Sequence, residues 1–438
     1  MVNFAEERRE DSSRRVVKLA RRLARRLARR FHSLLPEEKL NRAFWIFFTA
    51  AFCFDLGFGL YFFQFNLFLA NSHFNERFLG IATGAFTLGN VAGTIPIGVV
   101  VKKCGLKPVL LFCFVAAPCT GMLRALILWA PAQIGASFLF GVALCCWPAC
   151  FAPTVAQLTT EKNRVSAFSI VFATGIGTGT LAGLAGGYLP GVFAGAGGKH
   201  LAGGMQLVLL LASGVAMLGI LPILKLQVKP ADEVGMHHVR IFHPFLFRFL
   251  PAFALWSVVT GSFMPFAAVY LQKQLGLPMR HIGLVFSASQ LTQFAAVLLA
   301  PLLYRRWGTI TGIVCTQIAT GVAIFMLGHS RETPTAVALY LGYMGAQFMS
   351  GPGLYSLLMA RIPDAERSTA SAVQNVVSAL CQAASASVTG GCIVRYGYSA
   401  VLSGNTFVAF AAALVLFVLL GSRKKDKAIA SVVSMSST

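Results

Sequence analysis

A pattern that first occurs before residue 110 of this chain returns 203 positions later. From Gly80 to Gly105 the chain reads GIATGAFTLGNVAGTIPIGVVVKKCG, and from Gly283 to Gly308 it reads GLVFSASQLTQFAAVLLAPLLYRRWG. Each stretch is an apolar run of helical length that closes on two basic residues and a glycine turn. The same offset carries Lys102 and Lys103 to Arg305 and Arg306, Glu161 to Asp364, Arg164 to Arg367, Ala167 to Ala370 and Gly187 to Gly390. Charge falls on charge in one register, which marks a tandem duplication. Whatever this chain folds into, it builds twice.

What it builds is set by how little charge it carries. Of 438 residues, 56% are hydrophobic and 12% charged, about half the charged share of a soluble domain, roughly 25%. Twelve apolar stretches, from 43–70 to 399–421, are each long enough to cross a bilayer. Six fall in 43–224 and six in 246–421. Polar segments frame them: residues 1–42, a central loop at 225–245 and a tail at 422–438. The expected fold is an all-α membrane protein with twelve transmembrane helices in two parallel six-helix bundles. Six is even, so both bundles enter the membrane in the same sense and are related by an axis along its normal. Two such halves enclose a cavity near the midplane, the arrangement used for alternating access.

The formal charge of +22 would suggest a nucleic-acid partner in a soluble protein, but its placement argues against one. With the N-terminus inside, Lys102, Lys103, Lys107, Arg164, Arg305, Arg306, Arg367 and the basic tail gather on one side, which the positive-inside rule makes cytoplasmic. Both termini are then cytoplasmic, and a plasma membrane, bacterial and inner, is the expected location. In the first segment Leu19, Leu23, Leu27 and Phe31 repeat every four residues with arginines between them. Residues 14–31 therefore read as a basic amphipathic helix on anionic lipid, or as a solvated basic tail. The ten cysteines form no CxxC pair, and His237, His238 and His243 lie in a polar loop without cysteine. No metal site, cofactor or enzyme activity is expected, and the chain reads as a monomer.

The residues Gly98, Lys102, Lys103, Gly105, Lys107 and Pro108, echoed by Pro301, Arg305, Arg306 and Gly308, resemble the loop motif after the second helix of the major facilitator superfamily. The resemblance extends over roughly residues 43–421. It implies a secondary active transporter that moves a small organic solute between two rocking bundles. Lys102 and Arg305 stand where the family usually has aspartate. Leu184 stands where family antiporters carry the proline of a fifth-helix Gly-Pro, and Ser137 where they carry a fourth-helix arginine.

Within that frame several residues are candidates. Asp55 is the one acid placed inside a span, about 18 Å deep at ~1.5 Å per residue. A carboxylate there takes up a proton or finds a partner, which suits proton coupling or substrate binding; a plain helix–helix hydrogen bond is the alternative. Tyr61, Gln64, Asn66, Trp256, Ser257, Thr260, Gln290, Gln293 and Gln347 are expected to supply the cavity, some of them as interhelical glue. Glu161 and Asp364 are expected to pair with Lys103 and Arg306 as a cytoplasmic gate, or to be exposed decoration worth at most ~1 kcal/mol a contact. Gly175, Gly179, Gly183 and Gly187 form a ridge for close packing against the other half, echoed by Ala379, Ala383, Ser387 and Gly391. Arg124 is expected to snorkel to the outer interface, with pairing to Asp55 as the alternative. An uncoupled facilitator or exporter, and a non-transporting membrane sensor or scaffold, remain the other functional readings.

Overall fold

A computed structural model describes residues 40–197, 200–227, 244–363 and 366–421. The basic N-terminal segment, most of the central loop with its three histidines, and the tail lie outside the described residues, and so do the expectations placed on them.

The first half consists of α1 (Arg42–Asn71), α2 (Glu76–Cys104), α3 (Leu106–Leu126), α4 (Ala130–Gln157), α5 (Glu161–Gly197) and α6 (Leu201–Lys225). The second consists of α7 (Pro244–Lys273), α8 (Met279–Trp307), α9 (Thr309–His329), α10 (Thr333–Arg361) and one long helix, Arg367–Leu420. That last helix bends at Gly397 (φ 79, ψ 169) into two arms, α11 (367–396) and α12 (398–420). Among the described residues nine helices are long and apolar enough to span a membrane, Thr369–Leu420 counted once. α2 and α10 complete the twelve rods.

The duplication is visible in the packing. α1 lies on α5 and α6 as α7 lies on the Arg367–Leu420 helix; α2 lies on α4 as α8 lies on α10; α3 lies on α4 as α9 lies on α10. It is visible in the backbone as well. Gly105 (φ 85, ψ 169) and Gly308 (φ 82, ψ 157) each end one helix and start the next. Their N–H groups donate to Val101 and Tyr304 carbonyls, both at 2.9 Å. A side chain at that φ meets the following carbonyl, so only glycine takes the turn freely. Gly105→Ala or Gly308→Ala should therefore cost roughly 1–2 kcal/mol and lower the melting temperature in detergent. Gly214, where an added Cβ meets nothing, is the control. An unchanged melting temperature for both turn variants would contradict the account.

Prolines shape the rods that reach the interior. Pro148 cannot donate to the Leu144 carbonyl, and α4 breaks between Leu144 and Cys146. Pro265 likewise interrupts α7 with a single 3-10 turn, Met264–Phe266. The first half is packed with rings: Trp147 lies 4.6 Å from Phe54, and Phe54 lies 4.7 Å from Phe114. Arg124 sits among rings too, 3% exposed, with its guanidinium 3.8 Å from the Phe65 ring centroid and 4.7 Å from that of Phe140. Its Nε donates to Ser137 at 3.1 Å. The expected snorkelling is thus corrected: cation–π attraction in a desolvated box and a hydroxyl acceptor hold this charge inside its own half.

Candidate functional site

Two cavities face the space between the halves. One, about 430 Å³, is walled by α7, α10 and α11, with Thr83 and Thr87 of α2 closing its side. The other, about 460 Å³, is walled by α1, α4 and α5, with Gln290 of α8 closing its side. They are counterparts under the 203-residue offset. Thr87, Gln347 and Gly351 answer to Gln290, Leu144 and Pro148, and Ser378 and Gln382 answer to Gly175 and Gly179. The two halves have diverged at those positions. At those positions α10 and α11 carry Gln347, Ser378 and Gln382, where α4 and α5 carry Leu144, Gly175 and Gly179.

The first-half cavity has an acid instead. Asp55 is half-buried in its wall beside Phe54, Phe58, Gly59 and Phe62. The break in α4 lies beside Trp147, which lines the same cavity wall as Asp55. In the second-half cavity Ser257 donates to Ser378 at 3.1 Å, and Gln382 Nε2 donates to the same Ser378 hydroxyl at 2.9 Å. Gln347 is 6% exposed, and its Oε1 has no partner.

The halves meet at the end away from the termini. Small residues make the approach possible: a Cβ on Gly80 of α2 would overlap the Ala386 carbonyl of α11, and one on Gly283 of α8 would overlap the Gly183 carbonyl of α5. These are one contact made twice, since 80 and 183 map onto 283 and 386. Gly187 of α5 against α8 and Gly390 of α11 against α2 repeat it one turn further out. Of the expected ridge, Gly179, Gly183 and Gly187 touch α8, and an added Cβ at Gly175 meets nothing. On α11, Ala383, Ala386, Ser387 and Gly390 make the approach, and Gly391 faces open space.

Polar contacts clamp the same end. Glu76 at the start of α2 accepts from Lys273 at the end of α7, 2.8 Å, and from the Tyr398 hydroxyl at 3.4 Å. Asn71 and Gln272 exchange amide hydrogen bonds at 3.0 and 3.3 Å, Asn66 donates to the Pro265 carbonyl at 2.7 Å, and Arg280 Nε donates to Tyr188 at 2.5 Å. Sequence reasoning missed this clamp, although Glu76 directly after the capping Asn75 marks a helix start. Glu76→Gln or Lys273→Ala should shift the protein toward opening at this end by about fivefold, for a partly exposed pair worth ~1 kcal/mol. Labelling of a cysteine placed at Asn71 by a membrane-impermeant maleimide reads that shift. The exchanged pair, Glu76→Lys with Lys273→Glu, should reverse it; identical labelling in all four proteins would dismiss the clamp.

The remaining expected site residues divide. Trp256, Ser257, Thr260 and Gln347 line the second-half cavity, and Gln290 lines the first. Asn66 belongs to the clamp. Tyr61 is fully buried and donates to the Gly121 carbonyl of α3 at 2.9 Å. Gln64 is fully buried with both amide atoms unpaired, and Gln293 is 9% exposed. These three are packed between helices and are absent from both cavity walls, which corrects their assignment to the cavity surface. Toward the termini, Lys103, Arg305 and Arg306 are exposed, Arg164 is half-buried, and an added Cβ at Gly98 meets nothing. Arg367 caps α10, donating to the Met359 and Ile362 carbonyls at 3.0 and 3.2 Å. The side chains of Lys102 and Glu161, and all of Asp364, lie outside the described residues, so the expected gate pairs do too.

Residues 47–386 match the family model described as Major Facilitator Superfamily. No curated protein matches the sequence itself. Among solved structures the fold is similar to that of the nucleoside transporter NupG, with a TM-score of 0.72 at 14% identity over 87% of this chain and 100% of that one. It is similar to a D-xylose–proton symporter, with a TM-score of 0.69 at 15% identity over 85% and 96%. It is also similar to the xylose transporter XylE from E. coli in an inward-open conformation, with a TM-score of 0.67 at 14% identity over 86% and 95%.

Proposed function

This chain belongs to the Major Facilitator Superfamily, and from that premise we propose how its own residues carry out secondary transport by alternating access. The state described is open toward the termini and shut at the other end. One observation carries this reading above the rest. The close approaches between the halves stack at the far end, around Gly80, Gly183, Gly187 and Gly283, whereas Gly175 on the same ridge faces a cavity. Rocking one half on the glycine contacts would open that end and close the other.

The termini face is cytoplasmic, because Lys103, Arg305 and Arg306 are exposed there. The host is a plasma membrane, the inner membrane of a bacterium, in line with the E. coli origin of one structural relative. Asp55 couples the solute to protons: it sits in a cavity wall near an indole and can exchange a proton when water reaches it. That one structural relative is a proton symporter supports the same choice over an uncoupled facilitator. Lys103 with Glu161, and Arg306 with Asp364, latch the cytoplasmic ends when that side closes. Lys103→Glu combined with Glu161→Lys should restore transport lost in either single variant, and failure of the pair to recover would remove the latch. Flux of small organic solutes into proteoliposomes under an imposed pH gradient tests the whole reading, and no flux of any solute with or without the gradient would favour a sensor or scaffold.

A further inference from the structure

The two cavities differ in a way that points to the solute. The wall of the second-half cavity contains no charged side chain among the described residues. A charged solute buried against it would lack a counter-charge and pay the full desolvation cost. The solute that fits there is neutral. It also has to donate. Gln347 is 94% buried, its Oε1 has no partner, and it borders the cavity. A buried acceptor left unpaired is destabilising, so the ligand is one whose N–H or O–H reaches that atom.

The polar groups are not spread evenly round the wall. Gln347 on α10 and Ser378 and Gln382 on α11 carry its amide and hydroxyl groups, and the Ser257–Ser378–Gln382 hydrogen bonds hold the last two in place. Elsewhere the wall offers ring faces and hydrocarbon, Phe253, Trp256, Leu354 and Tyr355, broken by the hydroxyls of Thr83, Thr87 and Thr260, of which Thr87 and Thr260 donate to carbonyls of their own helices. A polyol has hydroxyls all round and would leave several of them against rings. A flat heterocycle has apolar faces and donors and acceptors only at its edge. The cavity, about 430 Å³, is in the range of small-ligand sites, about 300–1,000 Å³. We propose that the second-half cavity binds a neutral flat heterocycle with hydrogen-bond donors on its edge, of the nucleobase or nucleoside class. Gln347 pairs with that edge, and Trp256 and Tyr355 cover its faces. The acid stays on the other side, so binding and coupling are divided between the duplicated halves. This inference rests on the transporter reading and specifies its solute.

The test uses the full chain in lipid nanodiscs and in proteoliposomes. Uridine, adenosine, D-xylose and tetraethylammonium are titrated by calorimetry and offered for uptake. Saturable binding and uptake of a nucleoside are expected, with neither for xylose or tetraethylammonium. Gln347→Ala should weaken nucleoside affinity about tenfold, the worth of one well-placed hydrogen bond, and Ser378→Ala should weaken it less. Both variants are checked by melting temperature, and Gln347→Glu, which keeps the acceptor, should retain more affinity than the alanine variant. Binding of xylose or tetraethylammonium in preference to nucleosides, or equal nucleoside affinity in Gln347→Ala and the parent, overturns the proposal while leaving transport intact. Nucleoside binding without uptake supports the site and overturns the transporter reading instead. No binding of any of the four overturns the proposal.

Discussion

Asp55→Asn is expected to abolish accumulation against a gradient while leaving downhill exchange within a few-fold of the parent. The position explains why. Asp55 lies thirteen residues beyond Arg42 in α1, about 20 Å along the helix, and so well inside the bilayer. An ionised carboxylate at that depth costs ~2.5–3.5 kcal/mol even on the lenient insertion scale, and the cavity wall around it holds no cation among the described residues. The Trp147 indole lines the same wall and carries no charge to fix that of the carboxylate. Open to water, Asp55 can exchange a proton; sealed in, it cannot. Asparagine keeps the shape but has no proton to exchange. One proton per solute supports about tenfold accumulation per pH unit, so the variant's ratio should fall from about ten to about one in proteoliposomes under a one-unit gradient. Counterflow, which needs no driving ion, should persist. Asp55→Glu should recover part of the accumulation. If Asp55→Asn still concentrates solute when the gradient is imposed, coupling runs elsewhere.

Gly283→Leu is expected to stop transport by holding the far end open. The backbone of α8 lies so close to α5 at Gly283 that an added Cβ overlaps the Gly183 carbonyl and crowds the Gly187 Cα. These are main-chain atoms, which cannot swing aside as a side-chain tip would. Overpacking a tight contact costs roughly 1–3 kcal/mol, and the whole cost falls on the state in which the halves touch. That shifts the two-state balance by roughly five- to 150-fold toward the other state. Reactivity of a cysteine placed at Asn66, in the clamp, should rise with a membrane-impermeant maleimide once Cys104 and Cys119, both exposed, are replaced. Gly80→Leu should act alike, because Gly80 meets the Ala386 carbonyl as Gly283 meets that of Gly183. Gly214→Leu, at a position open to space, is the control for added bulk. Parent-like flux in Gly283→Leu would show that the far end need not close as described.

Much of this architecture could be read from the offset of 203, because a duplication repeats backbone as well as side chains. Gly105 and Gly308 share a left-handed turn that the two glycines alone announced. The same offset would have found part of the cavity that inspection missed. Gly175 and Gly179 stood out on α5, and their counterparts Ser378 and Gln382 on α11 line the opposite wall. Tyr61 and Gln64 were misplaced for a geometric reason. At about 100° per residue, Phe58, Gly59 and Phe62 share the side of α1 that carries Asp55, whereas Gln64 points about 180° away from it. Polarity selected Gln64; periodicity excluded it. Arg124 and the Glu76–Lys273 clamp were harder, since their partners lie on helices distant in sequence. Nothing local in CTGMLRALILW foretells Phe65 and Phe140 around a guanidinium. Nor does Lys273 at the end of α7 announce that it meets the first turn of α2.

The central claim is that the two ends of the cavity open in turn around a fixed middle, and paired spin-label distances measure that directly. One pair, at Asn71 and Gln272, reports the clamped end; another, at Lys103 and Arg306, reports the termini end. Solute and a pH gradient should lengthen the first distance and shorten the second together, and Gly283→Leu should hold both at the shifted values. Two distances that lengthen together, or that stay fixed while solute is being transported, would contradict the account.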